Sequence, residues 1–406
     1  MTLHSVNGVN KPKGPLEGIR ILDFSTLLPG PYATMILADM GAHVIRVVAP
    51  ERPDQVESLP PFVEVKGKKT SVAHLYLNRN KRSIALDLKV PESVSAVKKL
   101  LVQSDVLIEQ FRPGVMAKFG LAYEDLKTTY PGLVYCSLTG FGQTGSHAKR
   151  AGHDINYLAL SGLASYSGRK ETGPVLSGAQ VADLAGGAQQ AVMAILAALL
   201  ARTTSGQGQH LDISMTDGAF ALNALFGACA LGTDTPPATG GTLLNGGSHY
   251  DYYQTGDGRY LAVGALEPKF LSGLCEALNH PEWKTLGDHS PAMFKALLTE
   301  AFKQHPLSYW QALFAPLDIC VEPVLDFCEA ASLTLVSERQ MLWPYQTCDG
   351  KEIKQIAPPL KFDGCEPPRH TAVPSGADSQ AILAALGFSD SQIQIMSQPS
   401  RRTSLE

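Results

Sequence analysis

The chain has 406 residues, more than one hydrophobic core usually organises, so two domains or one large elaborated one are expected. Its 34 Lys and Arg against 38 Asp and Glu give a formal net charge of -4, which argues against a polyanion-binding surface and so against nucleic acid as a partner. Seven cysteines without C-x-x-C spacing are odd in number and fit reduced thiols in a cytoplasmic protein.

About 14 polar residues read as a mobile lead-in without an export signal. Gly18 to Ser25 then reads as a strand, Pro29-Gly30-Pro31 as the opening of an apolar helix stopped by Gly41, and AHVIRVVAP as a second strand. This strand-helix-strand unit predicts a parallel sheet. Residues 51 to 74 are polar and aperiodic and predict a long surface loop or flap. The alternation resumes with SIALDL, a helix over PESVSAVKKLLVQS, DVLIEQF, a helix near Tyr123 to Thr129, and LVYCSLTGF.

The longest apolar stretch, Leu184 to Ala201, is interrupted by Gly186, Gly187, Gln189 and Gln190, and reads as part of a buried core helix, not a membrane span. HLDISM is a short strand and about Asp217 to Leu231 a second apolar helix. A Gly- and Thr-rich linker follows, then a hairpin turning at Gly256-Asp257-Gly258 and helices near 269–278, 292–304 and 306–314. The tail after Pro399 reads as frayed. The domains expected are 15–225 with 330–406, and a smaller α+β unit over 226–329.

Gly140-Phe141-Gly142-Gln143-Thr144-Gly145 matches a dinucleotide fingerprint but stands late in the chain, with no helix after it and no acidic residue at the proper distance. A tight turn near a ligand or near Gly152 fits better. Arg79, Lys81, Arg82, Arg112 and Lys118 lie at predicted strand ends and helix starts, where guanidinium forks and open amides suit phosphates; solvated surface charges are the plainer alternative.

His153, in Ala151-Gly152-His153-Asp154-Ile155-Asn156-Tyr157, and Asp183, at the head of the apolar helix, set an imidazole and a carboxylate beside a positive helix end. Two such bases, with amides at that helix start to hold an enolate oxygen, suit proton removal and return at carbon. The helix dipole would keep Asp183 ionised, and Asp183 could also serve only as an N-cap. Glu267, in an apolar strand-end setting, suits an orienting partner for the imidazole. Asp154 and Tyr157 are supporting candidates. No G-x-S-x-G elbow and no metal-ligand spacing occurs.

At these residues the chain resembles the family III CoA-transferase superfamily (CaiB/BaiF type), and within it the alpha-methylacyl-CoA racemases. The segments PLEGIRILDFSTLLPGPYATMILADMGAHVIRV, NRNKRSIALDL, DVLIEQFRPGVMAKFGL, YCSLTGFGQTG, AGHDINY, VADLAGG, SGQGQHLDISMTDGAF, DGRYLAVGALEP and CVEPVLDF carry it over nearly the whole length. The resemblance implies an α/β fold: a Rossmann-like large domain with a parallel sheet and a smaller α+β domain, in an interlocked homodimer. It implies an acyl-CoA substrate, no other cofactor, no metal and no membrane.

By the same resemblance His153 and Asp183 are the two bases, Glu267 supports the histidine, and Arg79, Arg82, Arg112 and Lys118 meet the CoA. The reaction implied is racemisation of 2-methylacyl-CoA thioesters through an enolate. Transferases of the superfamily keep the aspartate as a nucleophile, generally lack the His-Asp-Ile-Asn-Tyr run, and some carry a glutamine where this chain has Leu28. Departures from the racemase pattern are Ala49, where some racemases carry a basic residue, Lys118 in place of an arginine and Ala182 in place of a glycine.

Overall fold

Residues 12–399 are described by the computed structural model; the lead-in up to residue 11 and the tail beyond 399 lie outside them. Strand β1 (Arg20–Phe24) is buried along all but its first residue, and Pro29 opens helix α1 (Pro29–Asp39), where a missing amide breaks no intrahelical bond. Gly41 follows with φ of +99°, and a Cβ there would lie 2.9 Å from the Gly14 nitrogen. The strand-helix pattern then gives β2 (His43–Val48), β3 (Lys81–Ala85), α2 (Pro91–Leu101), β4 (Val106–Glu109) and β5 (Val134–Thr139). After α3 (Asp154–Leu160) and α4 (Ala182–Ser205) come β6 (His210–Ser214) and α5 (Met215–Ala221).

All six strands run parallel in the order β6-β5-β4-β1-β2-β3. This is the arrangement of doubly wound dinucleotide-binding sheets, whose ligand crevice opens at the carboxyl ends where the order reverses, here between β1 and β4. On one face Leu22, Leu107 and Tyr135 bury against Val97 and Leu100 of α2. The C-terminal helices α10 (Ser379–Ala385) and α11 (Asp390–Ser397) add Leu383 and Met396 to that core, and Asp378 accepts the Ser83 amide.

The chain divides into two compact units, 1–157 with 179–221 and 338–406, and 158–178 with 222–337. The boundaries expected from sequence thus shift, and 158–178 leaves the large unit. Side chains explain the transfer: Tyr166 donates to Asn223 at 2.8 Å, Asn223 donates to the Ser161 carbonyl at 3.1 Å, and Arg169 pairs with Asp251 at 2.7 Å. The second unit holds the expected hairpin, β7 (Asp251–Gln254) against β8 (Tyr260–Val263), extended by β9 (Val321–Pro323). Helices α7 (Pro268–Ala277), α8 (Pro291–Phe302) and α9 (Leu307–Phe314) bury Leu271, Phe294, Phe302 and Trp310 with Leu261 and Val263.

Three local expectations need correction. Residues 51–74 form a short turn at Gln55–Ser58, a hairpin of Phe62–Val65 with Lys68–Ser71, and the start of a helix at Val72, because Val56, Val65 and Ser71 have buried sites to fill. The apolar helix after β6 breaks into α5 and α6 (Phe226–Thr233). The helix α4 begins with a π-helical stretch, Ala182–Ala188, and is only half covered: Ala191, Ile195 and Ala198 are buried, whereas Met193 and Leu200 are 54% and 72% exposed. By length and composition alone α4 could cross a membrane, and 44% of its apolar window is buried.

Candidate active site

The turn after β5 and the start of α3 are shaped around one ring. A Cβ on Gly140 would lie 2.5 Å from Tyr157 Cε1, and one on Gly152 would lie 2.6 Å from the same atom, so both positions require glycine. The Tyr157 hydroxyl donates to the Gly152 carbonyl at 2.6 Å, and burial, then the Asp183 and Asp154 charges, push its pKa up to about 12. Tyr157 is therefore a fixed donor. The Gly-rich motif is a steric cradle for this ring, as its late position in the chain suggests, and not a dinucleotide loop.

His153 caps α3. Its amide donates to Asn156 Oδ1 at 3.0 Å, the third helical residue reaching back to the cap, and its carbonyl accepts from the Asn156 amide at 2.8 Å. The backbone is thereby fixed while the residue stays exposed. Asp154 begins the helix and turns its carboxylate the other way, where Oδ1 accepts the Asp183 amide at 2.9 Å.

Asp183 stands in the first turn of α4. Burial lifts its carboxyl to about 6, the Asp154 charge adds to the rise, and His153 pulls it down. The helix dipole, roughly half a charge, does not cancel the desolvation of the carboxylate, so the carboxyl is raised while staying mostly ionised at neutral pH. A correction concerns the amides there. Those of Asp183 and Leu184 are bonded to Asp154 and to the Gln180 carbonyl, so neither is open to an enolate oxygen. What remains is a carboxyl titrating near neutrality within electrostatic reach of an imidazole, able to exchange protons or to attack as a nucleophile.

The five cations separate. Arg79 is 1% exposed: Nε and Nη2 bind Asp39 at 3.0 and 2.5 Å, Nη1 donates to the Ile356 carbonyl, and the guanidinium lies 4.7 Å from the Tyr76 and Tyr345 ring centres. Burial works against its charge and Asp39 more than offsets it, so the arginine is a structural clamp with no free face for phosphate. Lys81 is equally buried, bonded to the Pro31 carbonyl at 2.9 Å and to Asn78 at 3.1 Å. Arg82 is exposed but paired with Asp378 at 3.0 Å. Arg112 and Lys118, which follow β4 at the switch point, are exposed with no ion pair among the described residues.

Glu267 lies in the second unit, exposed, as the cap residue of α7 without a side-chain capping bond. Its charge, after burial, helps push the Cys320 thiol up. That unit also contains a cavity of about 700 Å³, lined among others by Arg169, Tyr250, Asp251, Lys295 and Cys320. Asp251 would be raised by burial, but Arg169 and Lys295 hold it below the carboxylate range. Among the described residues no group of three or more His, Cys, Asp or Glu is placed to hold a metal.

Sequence reasoning passed over Glu109, the last residue of β4, whose carboxyl burial raises to about 7 while it accepts the Phe111 amide at 2.8 Å. A charged residue ending a fully buried strand was the available signal.

A doubly wound sheet with an imidazole and a raised carboxyl at neighbouring helix starts fits an α/β enzyme. The chain belongs to CoA-transferase family III, which it matches over residues 16–379. It is 36% identical over 385 residues to the alpha-methylacyl-CoA racemase of Homo sapiens, covering 93% of this chain and 95% of that one. It is also 43% identical over 256 residues to the succinate–glutarate CoA-transferase of Agrobacterium fabrum, 62% of this chain and 64% of that one. A CAIB/BAIF family protein from Brucella suis superposes with a TM-score of 0.82 at 28% identity, over 92% of this chain and all of that structure.

Proposed function

We propose that the protein racemises 2-methylacyl-CoA thioesters, with His153 and Asp183 as the two bases on either side of the alpha-carbon. Relatives of both activities stand at similar identity, so the reading rests on the site. The observation that carries it is the pairing of an exposed imidazole with a carboxyl lifted to about 6. A base whose pKa lies near neutrality both takes and returns a proton, worth roughly 10²- to 10⁴-fold in rate.

In the reaction as proposed, one base removes the alpha-proton, the enolate forms, and the other base delivers a proton to the opposite face. Asp154 fixes the Asp183 backbone and keeps its carboxyl high; Tyr157 fixes the cradle from which His153 projects. Glu267 is proposed to orient the imidazole, and Arg112 and Lys118 to meet the phosphates of CoA, with Arg82 contributing once freed from Asp378. No metal or further cofactor takes part; the molecule acts as an interlocked cytoplasmic homodimer with acyl-CoA as its ligand. The second reading, CoA transfer through an Asp183 acyl intermediate, is favoured by the same carboxylate and by the transferase relatives.

Incubation with a 2-methylacyl-CoA in deuterated buffer separates the two. Deuterium entering the alpha-carbon with no acceptor acid present is the expected result. No exchange, with hydroxylamine trapping an acyl group from the protein and a second acid required for turnover, would overturn it.

A further inference from the structure

The turn between β1 and α1 stands at the switch point, and two of its amides are committed inside the protein. Leu27 N–H donates to Asp54 Oδ1 at 3.0 Å, Gly30 N–H donates to Gln110 Oε1 at 3.1 Å, and Pro29 and Pro31 have no N–H. A phosphate cradle at a helix start depends on open amides. This one presents the half-buried side chains of Leu27 and Leu28 instead.

Leu27 holds φ of +63°, a left-handed conformation that a leucine keeps only where surrounding structure imposes it. Asp54 imposes it. Its carboxylate, 4% exposed, also accepts the Val56 amide at 3.2 Å and binds Arg46 Nη2 at 2.9 Å. Arg46, 1% exposed on β2, reaches Glu57 Oε1 at 3.2 Å, and that oxygen accepts the Ser375 hydroxyl at 2.5 Å. Three separate stretches of chain thus brace one strained residue. The helix that the turn opens, α1, packs on the first turns of α4, where Asp183 lies.

We propose that Asp54 is a positioning residue that locks the Leu27–Leu28 turn as an apolar lip for the acyl end of a bound thioester, not for its phosphates. This rests on the acyl-CoA reading above. Strain at a ligand site persists when the fold over-determines it, and a buried ion pair with no ligand contact of its own is such a brace. The lip excludes water from the alpha-carbon side and leaves anion recognition to side chains elsewhere at the crevice.

Turnover of an acyl-CoA by the wild-type protein, as alpha-proton exchange or CoA transfer, is measured first; its absence overturns the acyl-CoA reading and this inference with it. Given that turnover, Asp54→Ala is expected to raise KM for the acyl-CoA about tenfold with kcat and the Kd of free CoA each within about threefold. Asp54→Asn, whose side-chain carbonyl still accepts the Leu27 amide, is expected to keep KM within about threefold of wild type. A parallel loss of free-CoA affinity, or a rise in KM for Asp54→Asn as large as that for Asp54→Ala, overturns the inference alone. Should Asp54→Ala fail to fold, Leu27→Pro lacks the donor and the positive φ yet leaves the Arg46–Asp54 pair intact. It must raise KM likewise, and an unchanged KM overturns the proposal.

Discussion

The two edges of the parallel sheet use their charges in opposite ways. At the amino edge Arg79 clamps Asp39, and Arg202 at the end of α4 pairs with Asp105 at 2.7 Å and with the Gly132 carbonyl at 3.0 Å. At the carboxyl edge Asp183, Arg112 and Lys118 have no ion pair among the described residues, and the free energy goes instead into keeping a carboxyl protonatable and a leucine left-handed. The comparison teaches that residue type does not distinguish a brace from a site: Arg79 and Arg112 look alike in sequence and differ in whether the fold has already supplied their counter-charge.

The largest effect that could break this contrast is at Asp183. Asp183→Asn is expected to lower alpha-proton exchange by at least about 10²-fold while the fold is kept. The folded protein holds the Asp183 proton up to about 6, above the ordinary 3.8, so this residue detracts from stability fully above pH 6 and not at all below the ordinary value. The melting temperature of Asp183→Asn relative to wild type should therefore rise as pH increases through that window. A constant difference would contradict the burial assigned to the carboxyl.

Next in size is the arginine pair. Arg79→Ala leaves Asp39 buried and unpaired and should cost about 3–5 kcal/mol in denaturant unfolding. Arg112→Ala should stay within about 0.5 kcal/mol of wild type in the same experiment. Its cost should appear as a weaker Kd for CoA, on the order of tenfold as expected for a charged hydrogen bond of about 1.4 kcal/mol, shrinking as salt is added. Equal effects of the two variants on unfolding would erase the difference between the edges.

A smaller change sharpens the site itself. Asp154→Asn removes the negative neighbour that adds to the Asp183 shift, so the acid limb of the pH–rate profile should move to lower pH. Because asparagine still accepts the Asp183 amide, the melting temperature should move little; an unmoved profile would remove Asp154 from the electrostatics of the site.

Much of this contrast was legible beforehand because it is local. Alternating aliphatics, Pro29 at a helix start and Gly258 in the hairpin turn report on their own neighbours, and the elements they predict are present. His153 and Asp183 were read as a pair from their residue types and from Asp183 at the head of the apolar helix, while the helix that His153 caps was not foreseen. What the chain hides is set by distant partners. Arg79 depends on Asp39, forty residues away, the transfer of 158–178 depends on Asn223 and Asp251, and the π-helical opening of α4 depends on Gly186 meeting α5, where a Cβ would lie 2.9 Å from the Ala219 nitrogen. Burial raises the Asp183 carboxyl against the dipole, which was readable where the desolvation was not.

The most direct test of the two-base claim uses each enantiomer of one 2-methylacyl-CoA separately in deuterated buffer, with His153→Gln and Asp183→Asn side by side. If the imidazole and the carboxyl serve opposite faces, each variant should lose wash-out of the alpha-proton from one enantiomer and keep it for the other, with the enantiomers exchanged between variants. Loss of both in Asp183→Asn together with full wash-out of both in His153→Gln would contradict the account and leave Asp183 acting alone.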